Sequence, residues 1–312
     1  MQTRRLGRSG LSVSRLGLGT LTWGRGVDAD GAREQLSTFV EAGGTLVDTA
    51  HSYGDGQAET WLGGFLGTVV PRQDLVIVTK AGLVPGPTGA LVDTSRRALL
   101  AGLEESLRRL RTDHVDLWLA HAWCPDVPLE ETIGALEYAA RSGRARYVGV
   151  SNFGGWQVAR AFSLLERAGV PLVADEVELS LVAREAEQEV LPAAAELGFG
   201  VLAWAPLGHG VLTGKYRGSM PPQSRATSRH FPGFVQRFLD TRSVALTDAL
   251  VTAARGLDVP PAHVALAWVR DLPEVSAALV GARTPTQLQT ALHSEELVLP
   301  AQIRAALDDI SG

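Results

Sequence analysis

Four side chains able to move or steer a proton stand just beyond short apolar runs. Asp48 closes Thr45-Leu46-Val47 and Tyr53 follows in the turn Tyr53-Gly54-Asp55-Gly56; Lys80 ends the run from Leu75, and His121 follows the run from Val115. A lysine ammonium beside a phenol favours the phenolate and is expected to lower the tyrosine's pKa, while a carboxylate beside the lysine keeps it charged and oriented. A tyrosine so placed can deliver a proton near neutral pH. The imidazole can donate a hydrogen bond to the same substrate oxygen as negative charge develops on it. Each residue has other readings. Asp48 could cap the following turn, Tyr53 could pack on the next helix, and His121 could satisfy a local hydrogen bond. Lys80 could be a solvated strand end or a Schiff-base lysine, and a strand-end acid could be half of a glycosidase pair.

These residues meet only if the segments carrying them converge. Strand-like runs occupy 16–19, 45–48, 75–79, 115–119, 146–150, 172–178, 200–204 and 277–280, and helical periodicities lie between them at 32–42, 59–66, 95–110, 130–140, 156–168, 187–197, 243–254 and 262–269. In a 312-residue chain with no Pro/Ser-rich linker, this alternation predicts one (β/α)8 TIM barrel domain over 1–312, with parallel strands and an N-terminal β-hairpin at Arg4 to Val13 closing one end. A doubly wound sheet is the runner-up. The stretch LGLGTLTWG lacks the spacing of a dinucleotide fingerprint after a first strand. Long strand-end loops, Ala120 to Leu129 and Lys215 to Leu239, carry Trp123, Phe231 and Phe234 and are expected to shape a substrate pocket.

The second half is built to hold an anion. Ser151 and Asn152 follow the fifth run with groups suited to an amide. The seventh leads into WAPLGHGVLTGK, Trp204 to Lys215, where an aromatic face precedes a glycine-containing loop and a cation. The eighth leads into VGARTPTQLQ, where Arg283 precedes a helix start with Thr284 as cap and Pro285 in the first turn. Loops after strands seven and eight are a common phosphate position in barrels.

A net charge of −5 argues against a non-specific nucleic-acid binder, and Cys124, the only cysteine, leaves no internal disulfide. No signal-like segment and no long uncharged apolar window are found. The expectation is a soluble cytoplasmic protein with no membrane or nucleic-acid partner and no metal.

VDTAHSYGDGQAE, the strand end at Lys80, His121, GVSNF, WAPLGHGVLTGK and VGARTPTQL together resemble the aldo-keto reductases, over essentially the whole chain. PPQSRA and GKY are similar to the branch holding bacterial oxidoreductases and voltage-gated potassium-channel beta subunits. The resemblance implies a monomer-capable barrel that binds NADPH/NADP+ without a Rossmann fold and reduces an aldehyde or ketone, with Asp48, Tyr53, Lys80 and His121 as its catalytic four. It further implies that Thr20 and Leu21 lie at the nicotinamide end, Ser151 and Asn152 hold the carboxamide, and Trp204 stacks on the ring. Leu207, Gly210 and Lys215 would wrap the pyrophosphate, Arg225, Arg283 and Gln287 would reach the adenosine phosphate region, and Ala205, Pro206 and Gly281 would also bind the cofactor. The chain departs from the family at Glu176, where Gln is usual; the carboxylate is expected to accept from the carboxamide NH2, the other reading being that it points away, paired with a neighbouring base. It also has Gln289-Thr290-Ala291 where Glu-Asn commonly closes the adenine site, and it is expected to do without a long C-terminal substrate loop. A redox-sensing barrel with little turnover is the alternative, ahead of a lyase or hydrolase barrel.

Overall fold

Strands buried on both faces read as short continuous apolar runs, and the eight such runs close into a parallel barrel. The computed structural model describes residues 1–86, 89–222, 224–227 and 232–312. The chain opens with β1 (Thr3–Arg5), β2 (Ser12–Ser14), β3 (Leu16–Gly19), α1 (Ala29–Glu41), β4 (Leu46–Asp48) and α2 (Gln57–Phe65). It continues through β5 (Val76–Ala81), β6 (Leu83–Gly86), β7 (Gly89–Val92), α3 (Arg96–Leu110), β8 (Val115–Ala120), α4 (Leu129–Arg141), β9 (Ala145–Ser151) and α5 (Gly155–Arg167). Then come β10 (Leu172–Glu178), α6 (Ala186–Leu197), β11 (Gly200–Trp204), α7 (Pro232–Gln236), α8 (Thr241–Gly256), α9 (Pro261–Arg270), β12 (Val275–Val280), α10 (Pro285–His293) and α11 (Ala301–Ser311). The barrel order is β3-β4-β5-β8-β9-β10-β11-β12, and β12 pairs back onto β3 at Ala278 opposite Leu16.

Side chains alternate across each strand, so every barrel strand serves two cores. One face puts Leu46, Val78, Leu117, Ala174, Leu202 and Leu279 into a common cluster, and Leu6 and Val13 from the β1–β2 hairpin pack into the same cluster. The hairpin therefore closes one end of the barrel, as expected. The other face puts Val47, Ile77, Trp118, Val150 and Val201 against Leu36, Phe39, Leu62 and Leu103 of the surrounding helices. Helix starts follow the capping chemistry: Asp28, Ser95, Asp240 and Thr284 each accept from a backbone N–H of the first turn.

Two connections differ from their expected form. The segment after β5 folds into an antiparallel hairpin, β6 on β7, in place of a plain link to α3. The long segment after β11 contains α7, and its Gln223 and Phe231 lie outside the described residues. Among the described residues no helix is long and apolar enough to cross a membrane.

Candidate active site

Strand parity builds the centre. Asp48, Lys80 and Glu176 each lie two positions beyond a lumen-facing residue, Leu46, Val78 and Ala174, so they face the same lumen one layer higher, at the carboxyl end of the barrel. Lys80 Nζ donates to Asp48 Oδ1, and from across the lumen Glu176 Oε2 accepts a second bond at 3.0 Å. Tyr53 opens a tight turn whose Gly54 and Asp55 are both left-handed, with φ of 56°. That turn brings the Tyr53 ring to 5.2 Å from Lys80 Nζ and edge-on to His121, 5.9 Å between centroids. The strand ends thus bring all four expected catalytic residues together.

Burial sets the electrostatics. Lys80 is fully buried. Burial alone would lower its pKa, but Asp48 and then Glu176 more than offset that, and the net shift is upward: the ammonium persists. Asp48 is raised by its own desolvation, against the pull of Lys80. Glu176 is pushed up to about 8 by burial and by the charge of Asp48, with Lys80 pulling the other way. Both carboxyls meet at the one ammonium, and burial moves each above its ordinary range. His121 lies well below the usual imidazole range because it is buried and faces the Lys80 charge, so it is neutral, and its Nδ1 has no hydrogen-bond partner among the described residues. The expected depression of the Tyr53 pKa is not found. Lys80 does lower it, but desolvation outweighs that pull and the phenol stays protonated far into alkaline pH.

Above this floor opens a cavity of about 1150 Å³ lined by Asp48, Tyr53, His121 and Glu176. Leu21, Asn152, Trp204, Ala205, Pro206 and Leu207 line its wall, and Gly210, Lys215, Arg225, Gly281, Arg283 and Gln287 line its far end. Thr20 and Ser151 are buried behind that wall, their hydroxyls donating to the backbone carbonyls of Asp48 and Glu176, each at 2.9 Å. The Asn152 amide is already engaged: Nδ2 donates to His121 O and Ser151 Oγ, and Oδ1 accepts from Trp204 Nε1 at 3.0 Å. Glu176, expected opposite a carboxamide, has its Oε2 on Lys80, because the buried ammonium is the strongest donor in reach.

The far end is cationic. Burial, then Arg283 and Arg225, bring the Lys215 pKa down to about 8, and Arg225 is lowered by burial and by Arg283. Lys215 and Arg283 form no ion pair with a carboxylate among the described residues, while Arg225 shares a bond with His209 Nδ1 at 3.2 Å. Gly210, at φ 96°, has the space a cation needs: a Cβ there would stand 2.6 Å from Lys215 Nζ. Mutual repulsion among clustered cations is relieved by an anion.

Some of the wall was not foreseen. Leu83, Val84 and Pro85 of β6 reach the cavity, as do His51 and Arg109. The hairpin had a signal in LVPGPTGALV, two apolar runs around Pro and Gly. His209 was passed over as part of a loop; it is left-handed at φ 55° and meets Glu178 Oε1 at 3.0 Å. Trp123, expected in the pocket, packs on Phe153 and Trp156 at 5.3 Å each, away from the lining residues. Phe234 does line it.

The sequence profile described as "Aldo/keto reductase family" matches residues 15–311. The chain belongs to that family. Among curated relatives it is 34% identical to "Uncharacterized oxidoreductase YrpG" of Bacillus subtilis (strain 168), over 99% of this chain and 96% of the relative. It is also 34% identical to "Probable voltage-gated potassium channel subunit beta" of Oryza sativa subsp. japonica, over 100% and 96%, and 33% identical to the Arabidopsis thaliana protein of the same description, over 99% and 95%. Family and fold are those of an oxidoreductase barrel.

Proposed function

We propose that this protein reduces an aldehyde or ketone to an alcohol using NADPH, with Tyr53 as proton donor. The observation that carries the reading is the meeting of a protonated Tyr53, an ammonium held by Asp48 and a neutral His121 on the floor of a cavity whose other end is cationic. NADPH, when bound, supplies the hydride. The protein's part is placement and charge. His121 is neutral and can donate a hydrogen bond to the carbonyl oxygen, and Tyr53 releases its proton to that oxygen as negative charge collects there. Lys80 steadies the phenolate left behind. Lys215, Arg225 and Arg283 would hold the phosphates, Trp204 would face the nicotinamide, and Leu21 would flank it. Asn152 keeps one acceptor position on Oδ1 for a carboxamide N–H. The buried, unpaired Cys124 suits a reducing, cytoplasmic setting.

The state of Lys80 disfavours a lyase. A Schiff-base lysine must shed its proton to attack a carbonyl, whereas two carboxyls hold this one charged. The channel-subunit descriptions of two relatives motivate a second reading, a nicotinamide-binding barrel that senses redox state with little turnover. One experiment separates the two. Quenching of tryptophan fluorescence on titrating NADPH tests binding, and steady oxidation of NADPH with 4-nitrobenzaldehyde tests turnover. Binding with turnover supports the reductase, binding without it the sensor, and no binding overturns both.

A further inference from the structure

Lys80 has no access of its own to water. It is fully buried and does not line the cavity, although both carboxyls that hold it, and Tyr53, do line it. Asp48 comes from β4, beside the lysine's own strand; Glu176 reaches in from β10, on the far side of the lumen. One partner would be enough to orient an ammonium. The second is a carboxyl that burial makes a weaker acid and that opens onto the cavity.

We propose that Glu176 is the positioning residue that reloads Tyr53, passing a proton to it through Lys80 after each reduction. The proposal rests on the reductase reading. In that reading the Tyr53 O–H bond breaks as the new alcohol O–H bond forms, and a phenolate remains. A Lys80 N–H proton then moves to the phenolate oxygen, and the Glu176 O–H proton moves to the lysine nitrogen, restoring ammonium and leaving a carboxylate. Glu176 regains its proton from water in the cavity. No electrons move in these steps beyond the hydride already transferred, and each proton lost is replaced.

The groups facing Glu176 are consistent with this. The charge of Asp48 raises it, Lys80 is its donor, and Tyr53 and His121 stand around the same ammonium. Its neighbour Asp175 is fully buried on the opposite face of the strand. With burial and Asp48 pushing Glu176 up to about 8, the reserve is full at neutral pH and empties above it.

The first test uses the protein alone. With glutamate labelled at its side-chain carboxyl, the carbon-13 resonance absent from Glu176→Gln should be that of a neutral acid at pH 7 and should titrate near pH 8; a resonance already that of a carboxylate at pH 7 overturns the proposal. The second test uses NADPH and 4-nitrobenzaldehyde. The wild type should lose steady-state rate as pH rises through 8. Glu176→Gln, which bonds Lys80 but holds no acidic proton, should show a first turnover faster than later ones, and a steady rate lower by about tenfold or more with no limb near pH 8. Glu176→Asp should recover part of the rate and the limb. Wild-type turnover with an unchanged rate and profile in Glu176→Gln overturns the reload alone; a wild type that titrates as expected but reduces nothing overturns the reductase reading itself.

Discussion

A half-buried phenol beside an ammonium is under two opposing influences: desolvation keeps its proton on and the neighbouring charge helps it off. At Tyr53 desolvation is the larger, so the resting side chain is a neutral acid and Lys80 acts chiefly once negative charge has formed on the oxygen. Removing that oxygen should therefore strike the chemistry and spare binding. Tyr53→Phe should lower kcat by about 100-fold or more and leave NADPH affinity within about threefold. The two are measured on the same preparation, by turnover of 4-nitrobenzaldehyde and by fluorescence titration. A variant keeping more than about a tenth of the wild-type rate would remove Tyr53 from the role of donor.

At the scale of the element, one residue of parity decides what a strand-end side chain can do. Glu176 faces the lumen and finds an ammonium; Asp175 faces the helices, and neither of its carboxylate oxygens has a hydrogen-bond partner among the described residues. Burial holds the Asp175 pKa well above the carboxylate range. Over the pH span between the ordinary value and the native one, the folded chain keeps this proton and the unfolded chain has lost it, so stability falls as pH rises through that span. Asp175→Asn, which cannot ionise, should gain on the wild type in urea melts run from pH 5 to pH 8, with the gain growing as pH rises. A difference that is flat with pH would show that the carboxyl is not held neutral. The loops that follow β11 and β12 carry the other element-scale expectation. Arg283 offers a ribose phosphate charge-assisted hydrogen bonds worth about 1.5–3 kcal/mol, so Arg283→Ala should weaken NADPH by about 10- to 100-fold more than NADH. Equal losses for both nucleotides would make the side chain a support for its loop.

The same parity marks how far the sequence could be read. All eight barrel strands are visible as apolar runs between helical periodicities, and Asp48, Lys80 and His121 are visible as polar residues ending them. Strands buried on both faces have no polar face to reveal their register, so Glu176 could be placed at a strand end but not aimed at Lys80. The rise in the Tyr53 pKa was hidden for a related reason: a charge partner can be guessed from sequence, whereas the depth of burial that outweighs it depends on the closed barrel.

For the whole molecule, the end of the barrel away from the cavity is closed by charge as well as by the Leu6 and Val13 plug. Arg270, at the end of α9, is 2% exposed. It donates to Ser294 O at 2.6 Å and Leu297 O at 2.8 Å, and makes a two-pronged bond to Asp271. Arg4 of β1 donates to Arg270 O and Val275 O, and Arg15 pairs with Glu295 at 2.9 Å. Arg270 thus joins three segments: its guanidinium holds the segment after α10, and its main-chain carbonyl, at the end of α9, holds the N-terminal hairpin. Taking the guanidinium away strands the buried Ser294 carbonyl and the half-buried Leu297 carbonyl, and leaves Asp271 with the more distant Arg15 and Arg4, at 3.7 Å and 3.9 Å. Breaking a buried pair by removing one partner commonly costs about 3–5 kcal/mol. With Asp271 partly exposed and partly re-paired, the lower end applies, and Arg270→Met, which keeps most of the side-chain volume, should lower unfolding stability by about 3 kcal/mol. Because this network lies at the opposite end of the strands from Tyr53 and Lys80, kcat with 4-nitrobenzaldehyde should stay within about twofold of wild type. A urea midpoint that does not move would show that the carbonyls find other partners; a midpoint that moves together with a large fall in kcat would show that the closed end and the cavity are coupled through the barrel.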